Sequence, residues 1–253
     1  METLKVLILG IEQGVTELLP ISSSAHLLLT SQLLDIKMDT YLLSVLHLGT
    51  TIALVFHFWN FLFKDILKKE KFSLYFKIAI SIIPAGIVGL LFESVIEESL
   101  RGNLIIAISL IIWGVVMILI ERRVTIKEKE LTNITWKQSI LMGISQIIAF
   151  IPGGSRSGIA TIAGMLTGLN KYTAIQYSFL LGLPLLLAAP IYEIFKKYPQ
   201  RVLNSSDLIG IVVAGVITYL CLFLLEKFSK RSWLTLFGIY RIVLGISVLI
   251  FLL

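Results

Sequence analysis

Two polar segments interrupt apolar surroundings at residues 12–26 (EQGVTELLPISSSAH) and 145–161 (SQIIAFIPGGSRSGIAT). In each, an apolar stretch meets a proline, Pro20 or Pro152, and then a run of serine or glycine carrying one strongly polar residue. Gln13 and Glu17 stand four apart, so they share one helix face. A helix begun at Pro20 with Ser22 as its cap brings Ser22 or Ser23 onto the face of His26. A carboxylate, an amide, hydroxyls and an imidazole thus converge within about four turns. In the second segment, Gly153, Gly154, Ser155, Arg156 and Ser157 follow the proline. Glycines let backbone N–H groups approach a ligand, a helix N-terminus accepts an anion, and a guanidinium grips phosphate oxygens bidentately. One segment offers acid, base and nucleophile and the other an anion cradle, a pairing suited to phosphoryl chemistry.

The surroundings are those of a membrane. Of 253 residues, 57% are hydrophobic and only 15% charged, with a mean hydropathy of +0.91, too little charge to cover a soluble protein of this size. Apolar runs of about 20 residues suit helices crossing a hydrocarbon core of about 30 Å, and a barrel would alternate polar and apolar residues instead. Ionisable groups there cost about 2.5 kcal/mol or more on insertion scales, so Glu17, His26 and Arg156 need water, partners or a ligand. The N-terminal apolar run is short and meets Glu12 without a small-residue cleavage site, unlike a signal peptide. The one cysteine, Cys221, excludes an internal disulfide or a cysteine metal cluster. The net charge of +6 is no nucleic-acid signal, because its lysines crowd into loops between apolar spans.

The expected fold is an all-α polytopic membrane protein with two inverted-topology repeats, each a re-entrant helical hairpin plus three transmembrane helices. The first repeat, 1–121, has its hairpin at about 2–34 and spans at about 41–63, 76–96 and 103–121. A charged linker, 122–137, follows. The second repeat, 138–253, has its hairpin at about 138–168 and spans at about 172–195, 208–226 and 233–253. A shift of 131–133 positions superposes Pro20 on Pro152 and pairs Gly49 with Gly182, Glu93 with Glu226 and Gly114 with Gly245. Four matches in one order at nearly one offset suggest a duplicated unit. Three crossings per unit make the halves inverted, with the two proline hairpins facing each other near the midplane. Residues 64–77 carry five lysines against two acids, and 121–137 is also basic. Placing both inside puts the first hairpin's mouth and both termini outside, with Lys196, Lys197 and Arg201 against the rule.

The residues of both segments resemble the signatures of the undecaprenyl-diphosphate phosphatases, also called the bacitracin-resistance protein family. The first signature stands here as Gln13-Gly14-Val15-Thr16-Glu17, then Pro20, Ser22, Ser23 and His26; the second as Pro152, Gly153, Ser155, Arg156 and Ser157. The resemblance covers essentially the whole chain. It departs at one position: the family's threonine is Ala160 here, with Thr161 one residue later and turned by about 100°.

The resemblance implies hydrolysis of a polyprenyl diphosphate, undecaprenyl- or dolichyl-like, to the monophosphate, recycling a lipid carrier for cell-envelope glycan synthesis. It also implies a divalent cation, Mg²⁺ or Ca²⁺; Glu17, helped by Gln13, would hold that metal or orient His26. The expected catalytic residues are Glu17, His26 as general acid/base, Ser23 as nucleophile or else water attacking directly, and Arg156. Gln13, Ser22, Gly153, Gly154, Ser155, Arg156, Ser157 and Thr161 are expected to bind substrate. The partners are the lipid, the plasma membrane and, for a homodimer, a second copy of the chain; the active site is expected toward the outer face. Inverted repeats with broken helices also suit a secondary transporter or a flippase for a polyprenyl phosphate, with Glu17 and His26 as a proton relay. His47 and Arg241 read as packing and hydrogen-bonding residues, His57 as interfacial, and Trp59, Trp136 and Trp233 as interface anchors. Glu12 has no assignment.

Overall fold

The computed structural model describes residues 2–36, 38–123, 130–193, 200, 202–228 and 233–252. Among the described residues there are α-helices and short 3₁₀ turns but no strand. Helices α1 (Glu2–Thr16) and α2 (Ser23–Leu33) flank Pro20. They lead into α3 (Thr40–His57), the short α4 (Trp59–Phe63), α5 (Lys69–Leu91), the short α6 (Glu93–Ser99) and α7 (Asn103–Arg123). Helices α8 (Trp136–Ser145) and α9 (Arg156–Leu166) flank Pro152 and precede α10 (Lys171–Tyr192), α11 (Ser205–Phe228) and α12 (Trp233–Phe251).

Six helices are long and apolar enough to cross a membrane: α3, α5, α7, α10, α11 and α12. The four flanking the prolines have 15, 11, 10 and 11 residues, too short at about 1.5 Å per residue to cross about 30 Å. The outer faces are apolar at helical spacing. Phe72, Phe76, Ile80, Ile83, Ile87 and Leu90 stand exposed along α5, and Leu236, Ile239, Val243, Ile246 and Ile250 along α12. Stripes this long would aggregate in water and suit lipid.

Two expected boundaries move. The second span starts at Lys69 rather than 76 and ends at Leu91 rather than 96, where α6 begins separately. Hydrogen bonding carries the helix past the apolar window because Lys71 and Lys77 bend to carbonyls, Lys77 to Ile134 O at 2.8 Å. The first span breaks at Phe58 into α3 and α4. Residues 124–129 of the charged linker, the basic residues Lys196, Lys197 and Arg201, and the side chains of Glu93 and Glu226 lie outside the described residues.

Local chemistry sets the helix starts. The Asp39 side chain caps α3 at Leu42 N, the Asn170 side chain caps α10 at Thr173 N, and Thr135 with Gln138 forms a reciprocal capping box on α8. Pro190 inside α10 has no N–H for the carbonyl four residues back; Thr51 Oγ1 of α3 donates to that carbonyl, Leu186 O, at 3.0 Å.

Small residues then set how closely the helices approach. α1 lies along α11, where Thr3 and Ser206 share a hydrogen bond of 3.0 Å and Thr218 reaches Gly14 O. α8 lies along α5, with Ser81 and Ser139 hydroxyls 2.6 Å apart and Ser139 bonded to Tyr177 of α10 at 2.5 Å. α7 and α12 cross where a Cβ on Gly114 would lie 2.6 Å from Gly238 O, and one on Gly238 2.7 Å from Gly114 O. A Cβ on Gly49 would overlap Ile211 O, and one on Gly143 would overlap Ser81 O. Gly49→Ala and Gly143→Ala should therefore each cost about 1–3 kcal/mol by forcing backbones apart. Gly102→Ala, with open space around its Cβ, should be neutral; thermal unfolding in detergent separates the three.

Candidate active site

Glu17 lies just past α1, its N–H bonded to Gln13 O at 3.0 Å. Its carboxylate collects donors from four directions. Oε1 meets a guanidinium nitrogen of Arg156, 139 residues away. Oε2 accepts from Ser23 Oγ at 2.5 Å and Gln13 Nε2 at 3.1 Å, and faces His47 Nε2 at 3.3 Å. A carboxylate only 8% exposed is costly to bury without such donors. Gln13 is fully buried behind it, and its Nε2 also reaches Thr50 Oγ1 at 3.3 Å. Gln13 thus seats the carboxylate from the rear.

Two serines in rare backbone conformations deliver the partners. Ser22 has φ 74° and caps α2 by accepting from Ala25 N; Ser155 has φ 65° and caps α9 by accepting from Gly158 N. Positive φ in a non-glycine residue costs on the order of 1–3 kcal/mol and persists only where its surroundings impose it. The residue after each serine, Ser23 or Arg156, is one that reaches Glu17. The two tips also bond directly, Gly153 N to Ser22 Oγ at 3.1 Å.

Arg241 of α12 holds both tips from behind. Its side chain is 1% exposed; Nη1 donates to Pro20 O at 2.9 Å, and Nη2 donates to Gly153 O and, at 3.4 Å, to Gly154 O. Reading it as a hydrogen-bonding residue agrees with this placement. Those contacts consume the glycine turn: Gly153 N serves Ser22 and Gly154 N serves Ile151 O at 2.9 Å. The turn thus spends both glycine amides internally, so an anion would meet the first turn of α9 and the Arg156 side chain instead.

The histidines divide. In both rings Nδ1 lies against the carbonyl four residues back, Ser22 O for His26 at 2.8 Å and Leu43 O for His47 at 2.7 Å. A carbonyl only accepts, so Nδ1 carries a proton in each. His26 Nε2 then accepts from the Tyr240 hydroxyl at 2.6 Å, with the two rings stacked. His47 Nε2 instead faces the Glu17 carboxylate. The imidazole at the carboxylate is therefore His47, which the sequence reads as a packing and hydrogen-bonding residue rather than a site residue.

A cavity of about 540 Å³ opens in front of these groups. Glu17, Ser22, Ser23, His47, Gln146, Ser155 and Arg156 line its polar end, while Ala85, Gly86, Gly89 and Leu90 of α5 face Leu185, Ala188 and Ala189 of α10 along apolar walls. Of the remaining expected residues, Ser157 hydrogen bonds toward Ser155 and Glu17 O. Thr161 is 2% exposed and donates to Ser178 Oγ of α10 at 3.4 Å, away from the cavity lining. Sequence reading missed His47, Gln146 and the clamp of Arg241. Each is a polar group inside an apolar helix or hairpin, the criterion that singled out Glu17.

The family model of the bacitracin resistance protein BacA matches residues 6–247. The chain is 36% identical to an undecaprenyl-diphosphatase of Enterococcus faecalis, covering 98% of this chain and 96% of that protein. It is 37% identical to one of Campylobacter jejuni (97% and 92%) and 35% to one of Methanococcus aeolicus (99% of each).

The serine geometry sets an unusual order of substitutions. Ser155→Ala loses the cap without relieving the strain of a Cβ at positive φ, for roughly 1–2 kcal/mol, whereas Ser155→Gly loses the cap but relieves that strain and should cost well under about 1 kcal/mol. Unfolding in detergent should show glycine as the milder change.

Proposed function

The chain belongs to the BacA bacitracin-resistance family, and from that premise we propose that it is an integral-membrane phosphatase. It hydrolyses a polyprenyl diphosphate, undecaprenyl- or dolichyl-like, to the monophosphate and inorganic phosphate, recycling a lipid carrier for cell-envelope glycan synthesis. The observation that carries this is one carboxylate, Glu17, shared by a hydroxyl from one hairpin and a guanidinium from the other. Both stand at the charged end of a cavity with apolar walls. The diphosphate belongs at that end and the first isoprene units between α5 and α10.

Arg156 and the first turn of α9 receive the diphosphate and offset charge moving onto the leaving oxygen. A diphosphate that takes the guanidinium leaves Glu17 with Ser23 and His47. Ser23 Oγ then gives its proton to Glu17 Oε2 and attacks the terminal phosphorus. The Oγ–P bond forms, the bond from phosphorus to the bridging oxygen breaks, and the proton passes from Glu17 to the departing polyprenyl monophosphate. Water then gives a proton to the freed Glu17 carboxylate and attacks the phosphoserine; the Oγ–P bond breaks, Glu17 returns the proton to Ser23 Oγ, and inorganic phosphate departs. His47 Nε2 faces Glu17 Oε2 at 3.3 Å and keeps that carboxylate oriented through the cycle. His26, bonded to Ser22 O and Tyr240, positions the first turn of α2 and with it Ser23.

Hard oxygen donors suit the cation. Among the described residues no group of three or more His, Cys, Asp or Glu gathers for a metal. Glu17 lines the cavity and offers a hard carboxylate oxygen, which would suit Mg²⁺ or Ca²⁺ with phosphate oxygens and water as further ligands, while Gln13 behind it holds that carboxylate. When bound, the ion neutralises diphosphate charge.

The same reading extends to the fold: two inverted repeats, each a re-entrant hairpin plus three spans. Its support is positional. The strained caps Ser22 and Ser155 lie 133 apart, the capping residues Asp39 and Asn170 lie 131 apart, and α1 packs on α11 as α8 packs on α5. The cavity lining reaches Met38 and Thr40 before and at the start of α3, and Tyr192 at the end of α10. That side lies across the bundle from lysine-rich 64–77, so the site faces outward from the plasma membrane.

Purified protein in detergent should release phosphate from a long polyprenyl diphosphate, and EDTA should abolish release. Glu17→Ala and Arg156→Ala should each lose about 10²-fold or more in kcat. His47→Gln should lower kcat, while His26→Gln should lower stability as well. Full activity in Ser23→Ala would exclude the serine nucleophile; no release from folded parent protein would favour a transporter or flippase. For orientation, a cysteine at Lys68 in a Cys221→Ser background should react only with reagent admitted to the inside.

A further inference from the structure

Gln146, between α8 and the second proline, carries the least satisfied polar group of the cavity. It is 1% exposed, and neither its amide oxygen nor its amide nitrogen has a hydrogen-bond partner. Leaving a buried donor and acceptor unpaired is strongly unfavourable. The side chain nonetheless lines the polar end of the cavity alongside Glu17, Ser155 and Arg156.

The first hairpin shows what such an amide binds. Gln13 and Gln146 are 133 apart, the separation of Ser22 and Ser155. Gln13 Nε2 donates to an anionic oxygen of Glu17, four residues on. Four residues on from Gln146 stands Phe150, which offers no acceptor. The amide that one hairpin spends on its own carboxylate is thus left over in the other, in the lining of the cavity that Arg156 also lines.

We propose that Gln146 is a substrate-binding residue whose Nε2 donates to a non-bridging oxygen of the diphosphate. It would take the place relative to phosphate that Gln13 takes relative to Glu17. The inference rests on the phosphatase reading and adds a specificity element to it: an uncharged donor in the same cavity lining as Arg156, reading phosphate oxygens without a further cation.

The test compares the parent with Gln146→Leu and Gln146→Glu in lipid-supplemented detergent, following phosphate release, inhibition by inorganic pyrophosphate and thermal unfolding. A hydrogen bond to a charged group predicts a KM and a pyrophosphate inhibition constant raised together by roughly tenfold to a hundredfold in Gln146→Leu. The melting temperature should be unchanged or higher, because two unpaired buried polar atoms are removed. Gln146→Glu, which sets a carboxylate against phosphate, should bind more weakly still. Parent-like KM and inhibition in Gln146→Leu would overturn the inference and mean that the amide meets only water. Lowered melting temperatures in both variants, with KM unchanged in the protein that remains folded, would overturn it in favour of a structural role. A parent that releases no phosphate would instead defeat the phosphatase reading itself.

Discussion

The arrangement depends on one buried guanidinium. Helix hairpins that turn around prolines inside an apolar bundle leave carbonyl oxygens that no helix can satisfy and no bulk water can reach. Arg241 supplies donors to three of them, Pro20 O from one hairpin and Gly153 O and Gly154 O from the other. The planar fork of arginine suits this task, since fixed N–H directions reach several acceptors at once. A lysine ammonium would not bridge the same set. Holding the tips together imposes the positive φ of Ser22 and Ser155, and those serines aim Ser23 and Arg156 at Glu17.

Charge is handled by the same economy of partners. Glu17 is surrounded by donors that would each be costly to bury alone: a guanidinium, an imidazole, a hydroxyl and an amide. They satisfy one another until a ligand with stronger claims on the guanidinium arrives. The polar layer behind them, from Gln13 through Thr50 to Thr218, keeps the carboxylate from rotating away. The apolar walls of α5 and α10 contribute small residues, Ala85, Gly86, Gly89, Ala188 and Ala189, which leave width for a chain rather than filling the gap.

Much of this was legible in the residues. Apolar run lengths located the six crossing helices, and the four-residue spacing of Gln13 and Glu17 gave a contact that exists. Ser22 read correctly as a cap. Period and spacing speak only of neighbours within one helix, however. They say nothing of which imidazole nitrogen meets a carboxylate 30 residues earlier, so His47 was set aside. Superposing the prolines aligned the tips at an offset of 132, whereas the capping serines lie 133 apart, because two glycines stand where the first tip has Ile21. That extra residue brings Arg156 rather than Ser155 opposite Ser23. Glycines suited to hold an anion turned out to hold Arg241 and each other, a competition between ligand and scaffold that composition alone does not decide.

The packing of α1 on α11 has a consequence for how the protein is made. Thr3 and its partner Ser206 are separated by 203 residues, and at roughly 5–20 residues per second translation takes about 10–40 s to span that distance. Helix α1 therefore lacks its α11 partner until that later helix has been made. The clamp is later still, because Arg241 lies in α12. A ribosome stalled anywhere before that point releases a chain whose Glu17 has lost its geometry. Such a chain lacks the donors that Pro20 O, Gly153 O and Gly154 O receive from Arg241. The site is therefore complete only once α12 has been made.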